Sequence, residues 1–143
     1  MFSDYIIPYL ILNIGSFLCI WIYESEENEI ITYDIKTKRK QKRNYKHGLL
    51  NGSFMEWHKN GNLYLKQNYV LGKLNGPAIQ CDEKGKLRVQ SFFKNGELNG
   101  KSTNWVPDGF KIIDTYKNGK RNGLSIWYGK EGEKSISNFI NDK

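Results

Sequence analysis

The chain has 143 residues, 22 Lys and Arg against 15 Asp and Glu for a net charge of +7, and a mean hydropathy of −0.65. That length suits one domain, and two cysteines, Cys19 and Cys81, exclude a disulfide framework. Fourteen glycines with 14% aromatic residues favour β-structure with many tight turns over a helical bundle.

The first element in chain order is YIIPYLILNIGSFLCIWIY (5–23), 19 residues without a charge, about the length of one membrane-spanning helix. Tyr5, Tyr9, Trp21 and Tyr23 stand towards its ends, where amphipathic rings favour the headgroup region. Pro8 falls in the first turns, where a missing N–H costs little. Residues 1–23 are therefore expected to form an N-terminal apolar helix and an uncleaved membrane anchor. A cleaved signal sequence is the rival, opposed by Asp4 where basic residues would stand and by bulky Phe17 and Leu18 before Cys19. A buried core helix is the third reading. Lys and Arg are absent before the span and dense after residue 36, so the positive-inside rule favours a single-pass protein with a cytoplasmic body, the exported side staying open.

Residues 24–44 read as a charged linker and a decayed half-repeat. ESEENE (24–29) is acidic, and KTKRKQKRNYK (36–46) follows with Lys36, Lys38, Arg39, Lys40, Lys42, Arg43 and Lys46, which together equal the whole net charge. Beside an anchor, such a run suits anionic lipid headgroups, at about 1 kcal/mol per basic residue. Nucleic acid is not expected as a partner, because no recognisable motif accompanies the charge. The plainer reading is a solvated linker whose basic strand blunts a sheet edge. Tyr33 stands in the column later held by Trp57, and Thr37 in that of Gly61.

Residues 45–143 repeat. Units begin at Tyr45, Tyr69, Phe93 and Tyr116, with a partial fifth at Phe139, at intervals of 24, 24, 23 and 23 residues. Three glycine columns recur: Gly48, Gly72, Gly96 and Gly119; Gly52, Gly76, Gly100 and Gly123, each after Asn; and Gly61, Gly85, Gly109 and Gly132. Asn-Gly favours turns with positive φ, so the second column is expected to reverse the chain, as is the third, in HKNG, DEKG, VPDG and GKEG. Each unit is then two turns, each followed by a short strand.

Alternation in the first strand puts Ser53, Met55, Trp57, Pro77, Ile79, Cys81, Lys101, Thr103, Trp105, Leu124, Ile126 and Tyr128 on one face, the more apolar and expected to be the core. Phe54, Glu56, Ala78, Gln80, Ser102, Asn104, Ser125 and Trp127 share the other. Of the aromatics, Phe54 and Trp127 are then the candidates for an exposed binding patch, and Trp57, Trp105 and Tyr128 the weaker ones. The one-residue difference between units calls for a bulge or turn adjustment whose position the sequence leaves open.

The phrase YKNGKRNGLSIWYGKEG, with Tyr116, Gly119, Gly123, Tyr128 and Gly132, resembles the variant MORN repeat of bacterial and viral proteins. The resemblance covers residues 45–143; Cys81 in an aromatic column and VPDG in the third unit depart from it. It implies an elongated, single-layer, twisted antiparallel meander with an aromatic-lined groove, and a binding or scaffolding role. Some such bacterial proteins are described as antitoxins, others as membrane-linked or lipid-associated modules. The repeats also occur joined to lipid kinases, but no phosphate loop or catalytic Lys and Asp is recognisable in this chain.

No catalytic, metal or cofactor site is expected. His47 and His58 lie at or near turns without partners at ligand spacing, and Cys81 has no evident base. The sequence thus predicts an all-β repeat module on a membrane anchor, binding a protein partner and no small-molecule substrate. An antitoxin or immunity protein and a binder of anionic lipids through 36–46 are the alternatives.

Overall fold

The computed structural model describes residues 9–13, 16–20, 27–34, 36 and 38–143, and among them there are fourteen strands and no helix. Strands β1 (Tyr9–Asn13) and β2 (Ser16–Ile20) pair only with each other. The helix expected over 5–23 is therefore not what these two segments form. Their Tyr, Ile and Phe residues suit extended chain as well as helix, and positions 5–8, 14–15 and 21–23 lie outside the described residues. No described helix is long and apolar enough to cross a membrane.

The remaining strands make one open antiparallel sheet. They are β3 (Glu27–Asp34), β4 (Arg39–Lys46), β5 (Leu49–Trp57), β6 (Leu63–Val70), β7 (Lys73–Leu74) and β8 (Gly76–Cys81). After them come β9 (Leu87–Lys94), β10 (Glu97–Leu98), β11 (Gly100–Trp105), β12 (Lys111–Lys117), β13 (Lys120–Tyr128) and β14 (Lys134–Phe139). The order β14-β13-β12-β11-β9-β8-β6-β5-β4-β3 follows the sequence, with β10 and β7 as short returns on β9 and β6. Basic β4 is paired on both sides, and the edge is β3. The edge-blunting role expected for β4 is thus not its position.

Two kinds of turn line the two rims. At one, His47-Gly48, Leu71-Gly72, Asn95-Gly96 and Asn118-Gly119 all have positive φ at both residues, the signature of a type I′ hairpin. The glycines of the last three donate back one unit: Gly72 N to Leu50 O at 2.8 Å, Gly96 N to Leu74 O at 2.8 Å, Gly119 N to Leu98 O at 2.9 Å. Asn141-Asp142 continues the series, with Asp142 N on Arg121 O at 3.0 Å, so the partial fifth unit completes its turn. Leu71 is the misfit of this column, at φ 48° and 64% exposed. Leu71→Asn is expected to raise stability by about 0.5–1 kcal/mol, since Asn tolerates the left-handed region, and thermal melting checks it.

The opposite rim carries three-residue loops, with His58 N on Asn62 O, Asp82 N on Lys86 O, Val106 N on Phe110 O and Gly129 N on Glu133 O. The third glycine column, φ 79° to 95°, occupies the left-handed position that closes them.

The Asn-Gly column does not turn the chain. Each return strand pairs for two residues, loses register at Asn-Gly, and resumes: Tyr45 faces Leu50 but Arg43 faces Phe54, and Tyr116 faces Arg121 but Asp114 faces Ser125. These are bulges, with glycine φ from 95° to 111°. Across from each glycine stands the aromatic of the next unit: Gly52 by Tyr69, Gly76 by Phe93, Gly100 by Tyr116, Gly123 by Phe139. The refrain is the joint between units: the aromatic of one strand lies opposite the bulge glycine of its neighbour, whose positive φ disfavours any side chain there. The asparagines bridge the same joint: Asn51 Oδ1 accepts from Leu71 N at 3.2 Å, and Asn122 Nδ2 donates to Asn141 Oδ1 at 3.3 Å.

The length difference between units also has a location. Register shifts once between β5 and β6 and once between β8 and β9, leaving Tyr64 and Arg88 as extra residues, whereas β11 with β12 and β13 with β14 pair straight at this rim. Each 24-residue unit carries one bulge residue that the 23-residue units lack.

The face expected to be the core is not buried. Among the described residues no large side chain is fully buried, and the most enclosed are Thr32, His58, Ala78, Cys81 and Ser91. Register places Thr32, Ala78 and Ser91 on the face opposite Trp57 and Trp105. A single layer has no second sheet to cover either face, so shelter comes from large neighbours around small residues.

Candidate binding faces

One face is a trough. Its floor is small: Ala78, Ser91, Ser102, Ser125 and Ser137 lie in one row across adjoining strands. Ser91 Oγ and Ser102 Oγ are hydrogen-bonded at 2.7 Å. One wall is the repeat aromatic column, Tyr45, Tyr69, Phe93, Tyr116 and Phe139. The other carries Tyr64, Phe110 and Trp127, the last two stacked at 5.6 Å. Burial pushes the Tyr69 and Tyr116 phenols up from their ordinary pKa, Asp114 adding to the effect at Tyr116. Asp114 Oδ1, in the floor row, is buried and finds no hydrogen-bond partner among the described residues.

Three of the four arginines, all but the bulge residue Arg88, belong to this side. Arg39 binds Glu56 Oε1 at 3.1 Å, which raises its pKa, and lies 3.9 Å from the Tyr64 ring centre. Arg43 lies over Phe54 and Arg121 over Phe139, at 5.8 and 4.0 Å. Gln80 Nε2 donates to Tyr64 Oη at 3.3 Å. That bond fixes the bulged tyrosine on the trough side.

The other face belongs to lysine. Register puts Lys40, Lys42, Lys46, Lys66, Lys73, Lys94, Lys101, Lys111, Lys117, Lys120 and Lys134 on it, which is every strand lysine. Against them, among the described side chains, stand two acidic ones, Glu29 and Glu97. Lys42 pairs with Glu29 at 2.5 Å. The aromatic row Tyr33, Trp57, Trp105 and Tyr128 runs along this face near the loop rim, interrupted by Cys81. Lys40 Nζ lies 5.5 Å from the Trp57 ring centre, and Lys111 Nζ 4.4 Å from that of Tyr128.

The site residues expected from sequence are thus divided. Phe54 and Trp127 belong to the trough, Trp127 37% exposed and Phe54 half-buried, while Trp57, Trp105 and Tyr128 belong to the lysine face. The run 36–46 is split by strand alternation: Arg39 and Arg43 face the trough, Lys40, Lys42 and Lys46 the other side, and Lys36 and Lys38 sit in the connecting turn. It is not one patch. Tyr64, Phe110, Arg121 and the lysines beyond residue 46 escaped the sequence reading. The signal was there in parity, lysine on one alternate position and arginine on the other.

His47 is exposed in its turn, but His58 is buried, its Nε2 donating to Cys81 O at 3.0 Å and its ring against Tyr64. It is a joint between loops rather than a surface residue. Cys81 is a free thiol, and burial, with Asp82 beside it, pushes its pKa up. No group of three or more His, Cys, Asp and Glu able to hold a metal comes together among the described residues.

Asp82 organises the second loop. Oδ1 accepts from Lys84 N at 3.0 Å and Lys86 N at 2.9 Å, and Oδ2 from Arg88 Nε at 2.8 Å. The Lys86 amide first, then Arg88, holds its carboxyl below the ordinary value. A depressed folded pKa contributes stability above the unfolded pKa that is lost as the pH falls through the folded one. Asp82→Asn is expected to melt below the parent at pH 6, with the gap narrowing below about pH 4, as thermal scans at pH 6 and pH 3 will read.

No protein-family model matches the chain, and no curated protein matches it.

Proposed function

We propose that residues 45–143 are MORN-like repeats forming a non-catalytic module that binds a protein partner in the trough, with residues 5–23 holding it at a membrane. The observation that carries this reading is the composition of the trough: a floor of Ala and Ser between walls of Tyr, Phe, Trp and Arg, without a strand lysine. Tyr, Trp and Arg dominate the energetic centres of protein interfaces, and Lys is depleted there. A partner side chain entering the trough can donate to Asp114 Oδ1. An antitoxin role is the case in which that partner is a toxin. The membrane part rests on the 19 uncharged residues of 5–23. Lipid capture by the 36–46 run as one patch is not favoured, since Arg39 and Arg43 face away from Lys40, Lys42 and Lys46.

A photocrosslinking residue placed at Phe54, in the native cells, is expected to yield one discrete protein adduct that Trp127→Ala abolishes, while the same probe at Lys101 does not yield that protein adduct. Adducts of equal pattern from both positions, or none from Phe54, would overturn the trough as the partner site.

A further inference from the structure

We infer that the lysine face is a binding surface for single-stranded nucleic acid, whose bases enter two clefts along the loop rim while its phosphates lie on the lysines. This goes beyond the partner proposed for the trough and uses the opposite side of the sheet.

The clefts are equivalents one repeat step wide. The first, about 370 Å³, is lined by Tyr33 and Trp57 with Lys38, Lys40 and Lys59. The second, about 390 Å³, is lined by Trp105 and Tyr128 with Lys86, Arg88 and Lys111, and reaches Phe110 at the rim. In each, the Tyr and Trp come from one repeat column in successive units, three cations stand beside them, Arg88 being paired with Asp82, and no carboxylate takes part in the lining. A flat ring next to a cation is what a base and its phosphate require together. Stacking on aromatics and a lysine track are how strands are held without sequence preference. A lipid headgroup region also takes rings and lysines but sets no spacing between them, whereas repeat-spaced clefts pairing a ring with a cation suit stacked bases, and a protein interface avoids lysine at its centre. Trp57 on β5 and Trp105 on β11 are four strand spacings apart, about 19 Å, so a strand rather than a mononucleotide fills both clefts. The lysines between and beyond, Lys66 and Lys101 among them, lie on the same face.

The full chain is titrated into fluorescein-labelled 20-mers of uridine and of thymidine, followed by anisotropy from 50 to 200 mM salt. Binding that weakens steeply with salt is expected. Trp57→Ala and Trp105→Ala should each weaken it roughly tenfold, whereas Trp57→Phe and Trp105→Phe keep most of the affinity. Together, Lys40→Gln, Lys111→Gln and Lys134→Gln should reduce the slope of log K on log salt by about 2. Circular dichroism confirms that each variant is folded, and the Phe and Gln variants decide the matter should an Ala variant not fold. Four results would overturn the inference: no binding; binding of duplex and single strand alike with no response to the ring variants; competition by uridine monophosphate at the strand's own nucleotide concentration; or binding of phosphatidylserine vesicles without binding of the 20-mers.

Discussion

Gly100→Val is expected to lower stability by about 3 kcal/mol, while Lys101→Ala beside it changes stability by no more than about 0.5 kcal/mol. Gly100 has φ 111°, well outside the left-handed region that any L-residue tolerates, and it lies opposite Tyr116. An added Cβ would stand 3.5 Å from Phe92 Cβ, an ordinary contact, so the backbone conformation rather than crowding carries the cost. Lys101 is exposed, so its truncation removes only solvated chain. Chemical denaturation of the two variants checks the difference. Similar midpoints would mean that Asn-Gly is not a fixed bulge.

Deleting Arg88 should leave a folded protein, whereas deleting Ile113 should abolish cooperative unfolding. Arg88 is the extra residue of a 24-residue unit, so its loss converts β9 to the straight pairing that β12 and β14 already have. The cost is the Asp82 ion pair and local repacking. Ile113 lies in β12, which has no spare residue at the loop rim. Removing it would turn Asp114 and Tyr116 to the lysine face and take Tyr116 from its place across from Gly100. Circular dichroism melts of both deletions read the outcome.

Much of this architecture was legible in the residues. The period of 23 to 24 and the three glycine columns located the units, and the alternation of Met55 with Trp57 or Ile126 with Tyr128 gave the strand faces correctly. The reversal expected of the second glycine column belongs to the first. Asn-Gly is the strongest local turn dipeptide, and in His47-Gly48 or Leu71-Gly72 nothing local announces a type I′ turn; the stacking of each turn on the preceding unit selects it. Burial was misjudged for a different reason. Hydrophobicity marks a core side only when a second layer covers it, and whether the sheet stayed single was not written in any one unit. The site was less legible still, since Phe54 and Trp127 are separated from Trp57, Trp105 and Tyr128 by the thickness of the sheet. Strand parity of the charges, lysine against arginine, carried that information and went unread.

The most direct test of the open sheet is the distance across it. Spin labels at Ile31→Cys on β3 and Ile136→Cys on β14, in a background of Cys19→Ser and Cys81→Ala, report it by pulsed electron–electron resonance. Both positions are exposed and lie in one register row of a ten-strand path. Nine strand spacings span about 43 Å when flat, and twist shortens the chord, so the account predicts a main peak above about 30 Å. A main peak below about 20 Å would mean that the two edges meet, and would contradict a single open sheet.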